Sequence, residues 1–128
     1  MVVDSSALVS ILLEEQGHKR LFEKASSAKV TIVGSPLALE TVMVVSGRMD
    51  KDPRSLLDGL LRILDAEIVA FTEDHFEAAV DAFLRYGKGR HPAGLNFGDC
   101  MSYAFARVSG LPLLYTGTDF SKTDVQTA

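Results

Sequence analysis

Apolar residues occur along the chain either in short β-branched runs or in longer segments at helical spacing. The short runs predict four strands, at residues 2–3, 30–33, 67–71 and 113–115. The longer segments predict six helices, which run from Ser5 or Ser6 to about Glu14, over 18–26, from Pro36 to a cap at Gly47, from Asp52-Pro53 through Leu64, onward from Thr72, and over 98–108. Because strands alternate with helices, the sequence predicts an α/β domain whose mainly parallel sheet is covered on both faces.

Two of these helices carry features that assign residues to the core. In the helix after Thr72 we expect the apolar stripe to be buried, and this stripe consists of Phe76, Ala79, Val80, Phe83 and Leu84. The helix over 98–108 is apolar on most sides, so we expect it to be central, with Cys100 packed inside it. His18 and His75 have no other candidate site residues around them and are expected at the surface.

Length, composition and charge limit the classes of protein. The 128 residues are 47% hydrophobic and 23% charged, which is typical of one globular domain spanning 1–128. A single cysteine excludes an internal disulfide. No apolar run approaches the roughly 20 residues of a membrane span, and the N-terminus lacks the basic region of a signal peptide, so a cytoplasmic protein is expected. A net charge of −4, from 13 basic and 17 acidic residues, argues mildly against a passive nucleic-acid binder but not against a nuclease.

Four acidic residues fall where this topology brings them to one edge of the sheet. Asp4 ends the first strand, Asp119 follows the last one, and Glu40 lies in the helix that leaves the second strand. Asp99 lies in the first turn of the helix that returns to the last strand, and a crossover helix begins at the carboxyl edge of a parallel sheet. We therefore expect all four carboxylates at that edge.

Each acid has a simpler interpretation when it is taken alone. Asp4 suits the N-cap of the following helix, and Glu40 suits a solvated helix face. An acid in a first turn, as at Asp99, is favourable in any helix, and an Asp after a glycine turn, as at Asp119, is common. Asp124 suits an ordinary surface charge.

Taken together, the acids indicate a metal site. Clustered carboxylates repel one another, so such a group needs bound cations or shared protons. Oxygen ligands favour hard cations such as Mg²⁺ or Mn²⁺. These ions assist phosphodiester hydrolysis, so the acids predict metal-dependent phosphodiester chemistry.

The chain resembles the PIN-domain family, and specifically VapC-type ribonuclease toxins of toxin–antitoxin pairs. The resemblance spans the chain and rests on Val3-Asp4-Ser5-Ser6-Ala7-Leu8, on Glu40 after Ser35, on Arg85-Tyr86-Gly87-Lys88-Gly89-Arg90-His91, on Leu95-Asn96-Phe97-Gly98-Asp99-Cys100 and on Gly117-Thr118-Asp119-Phe120-Ser121-Lys122-Thr123-Asp124. It implies a three-layer α/β/α sandwich with a mainly parallel sheet of four to five strands. It also implies endonucleolytic RNA cleavage, a homodimer, and inhibition by an antitoxin protein.

The resemblance assigns roles to the site residues. Asp4, Glu40, Asp99 and Asp119 form the catalytic acidic site, in which Asp4 and Asp99 are expected to bind Mg²⁺ or Mn²⁺ directly. Glu40 and Asp119 are expected to complete the metal shell directly or through water. Ser6 and Asn96 are expected to orient the site. Thr116 and Thr118 depart from the family, whose members often carry a basic residue and an acidic or amide residue at these positions.

The basic loop over 85–91 has two interpretations. Arg85, Lys88 and Arg90, with His91, are either solvated charges or contacts to RNA phosphates. We predict RNA binding for Arg85, Lys88 and Arg90.

Two other classes of protein compete with a nuclease. A catalytically silent PIN-like protein-interaction domain is the main alternative, but such a domain would be signalled by a missing acid, and all four are present. A phosphoacceptor receiver domain requires an aspartate at the end of the third strand, where residues 67–71 offer none.

Overall fold

A computed structural model describes residues 1–128 and contains a four-stranded parallel sheet in the order β3-β2-β1-β4. The strands are β1 (Val2–Val3), β2 (Thr31–Gly34), β3 (Ala66–Val69) and β4 (Leu113–Leu114). The helices are α1 (Ser5–Leu12), α2 (His18–Ser26), α3 (Ser35–Met49), α4 (Arg54–Ile63), α5 (Glu73–Tyr86) and α6 (Phe97–Ser109), followed by a 3-10 helix (Asp119–Lys122). The α/β class and the mainly parallel sheet are therefore confirmed.

The strand order explains the layers. The first two connections step from β1 to β2 and on to β3, whereas the third returns past both strands to β4 on the other side of β1. Because parallel crossovers are right-handed, opposite steps put α1–α4 and α5–α6 on opposite faces of the sheet. Central strand β1 is fully buried between these layers, with Val2 paired to Ile32 and to Leu113.

The last residues extend the sheet beyond β4. The Leu113 amide donates to the Gln126 carbonyl oxygen at 2.8 Å, and the Ala128 amide donates to the Leu113 carbonyl oxygen at 3.0 Å. Thr127 thus forms a single parallel bridge with Leu113.

Helix α3 does not end at Gly47 as the sequence predicts. It continues to Met49, and Asp50 then adopts a left-handed conformation with φ of 49° as its C-cap. Gly47 is exposed, so its backbone freedom costs the helix only about 1 kcal/mol, too little to terminate it.

Helix α5 buries a different face from the predicted one. Phe76, Val80, Phe83 and Leu84 are exposed, at 53%, 37%, 44% and 52%. The buried residues of α5 are His75, Ala82 and Tyr86, and Ala79 is partly buried on the same stripe. Small alanines on this face let α5 pack closely against α6, which leaves the large apolar side chains facing outward.

The prediction that His75 lies at the surface is also wrong. His75 is 6% exposed, and its ring lies 4.3 Å from that of Phe105 on α6, centroid to centroid. Its Nδ1 accepts from the Thr72 amide at 3.1 Å, which caps α5. Burial lowers the pKa of His75, which favours the neutral ring that this contact requires.

The remaining core follows the predicted pattern. Cys100 is buried in α6, which packs on β1, β2 and β4 as a central helix. Every helix of the structure is too short or too polar to cross a membrane.

Candidate metal-dependent active site

Asp4 is a buried carboxylate held by hydroxyl groups from two helices. It ends β1 and caps α1, and it is 5% exposed. Its Oδ2 accepts from the Ser6 amide at 2.9 Å and from the Ser6 hydroxyl, while its Oδ1 accepts from the Ser102 hydroxyl on α6. These donors compensate for the lost hydration of a charge that would otherwise be costly to bury.

Glu40 reaches the same edge from α3. Its Oε2 accepts from the Ser5 hydroxyl at 2.6 Å. The first turn of α6 leaves little room beside it, because a Cβ built on Gly98 would lie 3.0 Å from Glu40 Oε1. Gly98 thus permits the close approach of α6 to this carboxylate.

Asp99 forms a reciprocal cap with Asn96 at the start of α6. The Asp99 amide donates to Asn96 Oδ1 at 2.9 Å, and the Asn96 amide donates to Asp99 Oδ2 at 2.9 Å. Burial raises the pKa of Asp99 to about 6, and the charges of Asp119, Asp4 and Glu40 add to this rise, although the Asn96 amide opposes it. All three other acids therefore act on Asp99, as their predicted convergence requires.

Asp119 is the most solvated of the four acids. It is exposed at the start of the 3-10 helix after β4. The loop before it is tied to the site by the Thr116 amide, which donates to the Ser6 hydroxyl at 3.1 Å. Ser6 therefore links Asp4 to the segment that carries Asp119.

The donor chemistry of this edge fits a hard cation, but its side chains are not arranged as a completed site. The structure contains no group of three or more acidic, histidine or cysteine side chains close enough together to hold one ion. Like charges keep carboxylates apart, and the contacts to Ser5, Ser102 and Asn96 hold each acid on a different element. Closing around an ion therefore requires these side chains to rotate.

The cations of the predicted basic loop differ in their surroundings. Arg85 lies in α5, where its Nη2 donates to the Tyr86 hydroxyl at 2.8 Å and to Asp124 Oδ2 at 3.2 Å. The Arg90 guanidinium lies over the Phe83 ring, 5.2 Å from its centroid. Lys88 and Arg90 make no ion pair, so they keep charge available for an anion.

Asp124 is more than a surface charge. Its Oδ1 accepts from the Tyr103 hydroxyl at 2.7 Å, and its other oxygen pairs with Arg85. The Tyr103 hydrogen bond and the Arg85 charge lower the pKa of Asp124. Burial and the same contact raise the pKa of Tyr103 to about 12.

Two serines of the site were missed by sequence reasoning. Ser5 holds Glu40, and Ser102 holds Asp4. A signal for Ser102 is present in the sequence, since it stands three residues after Asp99 and therefore shares its helix face.

Comparison with known proteins agrees with this fold. The family model described as PIN domain matches residues 1–126. The chain belongs to the PIN-domain family, as the resemblance predicts, which removes the receiver domain as an alternative.

Its relatives include VapC ribonucleases. The ribonuclease VapC of Mycolicibacterium smegmatis is 44% identical over 125 residues, which cover 98% of this chain and 97% of the relative. Among solved structures, VapC20 of Mycobacterium tuberculosis, a toxin that cleaves the sarcin–ricin loop, has a TM-score of 0.78 at 20% identity, covering 99% of this chain and 97% of that one. A toxin–antitoxin complex from Klebsiella pneumoniae has a TM-score of 0.73 at 18% identity, covering 99% and 95%. At these identities the structural matches show a shared fold.

Proposed function

We propose that the protein is the endoribonuclease toxin of a toxin–antitoxin pair and hydrolyses RNA phosphodiester bonds with Mg²⁺ or Mn²⁺. One observation carries the metal dependence. Burial and three other carboxylates raise the pKa of Asp99, and no cationic side chain lowers it. A bound cation removes this repulsion, and the ribonuclease relatives support RNA as the substrate.

We assign each residue of the acidic edge a role in metal binding or in orienting a metal ligand. Asp4 and Asp99 bind the ion directly, while Glu40 and Asp119 bind it directly or through water. Ser6 orients Asp4, and Asn96 orients Asp99. When bound, the ion supplies a water of lowered pKa and offsets charge on the phosphate.

The proposal extends to partners and location. Lys88 and Arg90, and Arg85 when released from Asp124, contact RNA phosphates. An antitoxin protein blocks the enzyme in the cytoplasm.

The exposed apolar strip of α5 (Phe76, Val80, Phe83 and Leu84) supports a homodimer, because a strip of this kind is normally covered by a partner. Light scattering on the wild-type chain tests the dimer, which a monomeric wild type would contradict. A Phe76→Glu, Leu84→Glu variant tests the strip as its interface, and a variant that stays dimeric would exclude the strip.

The activity is tested by incubating the purified protein with a mixed RNA pool in Mg²⁺, in Mn²⁺ and in EDTA. We expect discrete cleavage that requires metal and is lost in Asp99→Asn. Asp58→Asn, which changes an exposed acid of α4, is the matched control and should retain activity. Absence of cleavage of total cellular RNA by a folded, antitoxin-free chain would instead indicate a silent protein-interaction domain.

A further inference from the structure

Phe97 is an exposed aromatic residue at the acidic edge of the sheet. It opens α6 and is 83% exposed, more than any other large hydrophobic residue in the chain. Single exposed apolar residues are common on protein surfaces, so exposure alone carries no function. The position of Phe97 is what distinguishes it.

Its neighbours in the chain belong to the candidate site. Asn96, which precedes it, caps Asp99, and Gly98, which follows it, lies against the Glu40 carboxylate. Successive Cα atoms are about 3.8 Å apart, so the Phe97 backbone is held within one residue of both contacts. Gly98 has no side chain to cover the ring, and Asn96 is itself exposed.

An aromatic ring suits this edge electrostatically. The four carboxylates repel the phosphates of an approaching RNA. An uncharged ring can attract a nucleobase, and the negative field of the carboxylates does not oppose that attraction. Stacking of a base on an aromatic ring is tolerant of sequence but requires a base released from its own stack.

We propose that Phe97 stacks against an unpaired base next to the scissile phosphate. This inference rests on the proposed nuclease function and adds a binding subsite to it. The ring fixes the position of the nucleotide, and the acids act on the adjoining phosphodiester bond.

The test measures RNA binding without cleavage. Affinity for a fluorescent single-stranded RNA and for an RNA duplex is determined by anisotropy in the Asp99→Asn background with Mg²⁺. We expect Phe97→Ala to weaken single-stranded binding about tenfold, with duplex affinity unchanged. Phe97→Trp should retain binding, whereas Phe97→Leu, which is apolar but has no aromatic face, should lose it.

Ile63→Ala is the matched control. Ile63 is 67% exposed at the end of α4, which precedes β3 and so lies at the opposite edge of the sheet. In the cleaving enzyme, Phe97→Ala should raise KM and leave kcat nearly unchanged, and Ile63→Ala should alter neither.

Two results would overturn the stacking role. Unchanged single-stranded affinity in Phe97→Ala would remove it, and equal binding by the Leu variant would point to a simple apolar contact such as an antitoxin would use. Metal-dependent cleavage that still requires Asp99 would leave the nuclease proposal standing in both cases. Failure of the inference is thus separable from failure of the function.

Discussion

Two aspartates, Asp99 within helix α6 and Asp124 in contact with it, have opposite electrostatic surroundings. Asp124 pairs with Arg85 and accepts from Tyr103, and its pKa is lowered. Asp99 is partly buried and every charged group that acts on it is an acid, and its pKa is raised to about 6. Asp124 is thus paired with a cation of the chain, Arg85, whereas Asp99 has no cationic partner. The comparison separates a carboxylate that is paired within the fold from one for which we propose an external cation.

Cleavage activity should separate the two acids most strongly. Asp99→Asn removes a proposed metal ligand, and we expect RNA cleavage to fall by about a hundredfold or more. Asp124→Asn keeps the shape of a side chain outside the acidic edge, and activity should stay within about threefold. Initial rates on one RNA at saturating Mg²⁺ measure both variants. Equal losses would show that the comparison does not describe the catalytic site.

The next largest effect is expected at Ser102. Ser102→Ala removes the hydroxyl that donates to Asp4 from α6, and we expect metal affinity to weaken about tenfold. Loss of a hydrogen bond to a buried charge should also lower the free energy of unfolding by about 2 kcal/mol. Ser109→Ala is the control, because Ser109 lies on the same helix but donates to the Phe105 carbonyl oxygen. Mn²⁺ titration and urea unfolding would refute the role of Ser102 if both variants behaved alike.

A smaller effect is expected in the basic loop. Replacing Lys88 and Arg90 by Ala removes two cations that make no ion pair, so RNA affinity should fall several-fold and depend less on salt. Arg85→Ala should affect affinity less, because Arg85 is engaged by Asp124. Anisotropy at several salt concentrations gives both values. A larger loss in Arg85→Ala than in the double variant would reverse this assignment.

The smallest effect is a pH dependence of stability with opposite signs for the two acids. With a pKa of about 6 in the folded chain, Asp99 keeps its proton where the unfolded chain has lost it. The free energy of unfolding should therefore fall as pH rises from about 4 to about 6, by on the order of 1 kcal/mol after solvent screening. Asp124, with its lowered pKa, contributes stability above its ordinary pKa that is lost in acid.

Urea unfolding over a pH series in EDTA measures both contributions. Asp99→Asn should remove the fall above about pH 4, and Asp124→Asn should reduce the loss in acid. An unchanged pH profile in Asp99→Asn would contradict the electrostatic account of this residue.

The acidic edge was predictable because connectivity determines it. Asp4 ends a strand, and Asp99 begins a helix that returns to the sheet, so the parallel topology alone places both at one edge. Connectivity does not identify Ser102: its spacing from Asp99 places both on one helix face, but its contact with Asp4 depends on how α6 is rotated against β1. Arg85 and Asp124 are 39 residues apart, and their pairing depends on how the last segment packs.

The error in α5 has a related cause. Helical periodicity of the large apolar residues predicts Phe76, Phe83 and Leu84 in the core. In the structure Ala82 and Tyr86 are buried instead, because α6 packs closely against that face. The two stripes are offset by about one residue. A one-residue offset turns the buried face of a helix by about 100°, which is enough to move the large side chains out of the core.

Direct titration of Mn²⁺ in the absence of RNA tests the central claim, that the acidic edge is a cation site. The wild-type chain and Asp99→Asn are compared at pH 7.5 by electron paramagnetic resonance, with Asp124→Asn as the control. The account predicts saturable binding by the wild type and by Asp124→Asn, and binding at least tenfold weaker in Asp99→Asn. Equal Mn²⁺ affinity in all three proteins would contradict it.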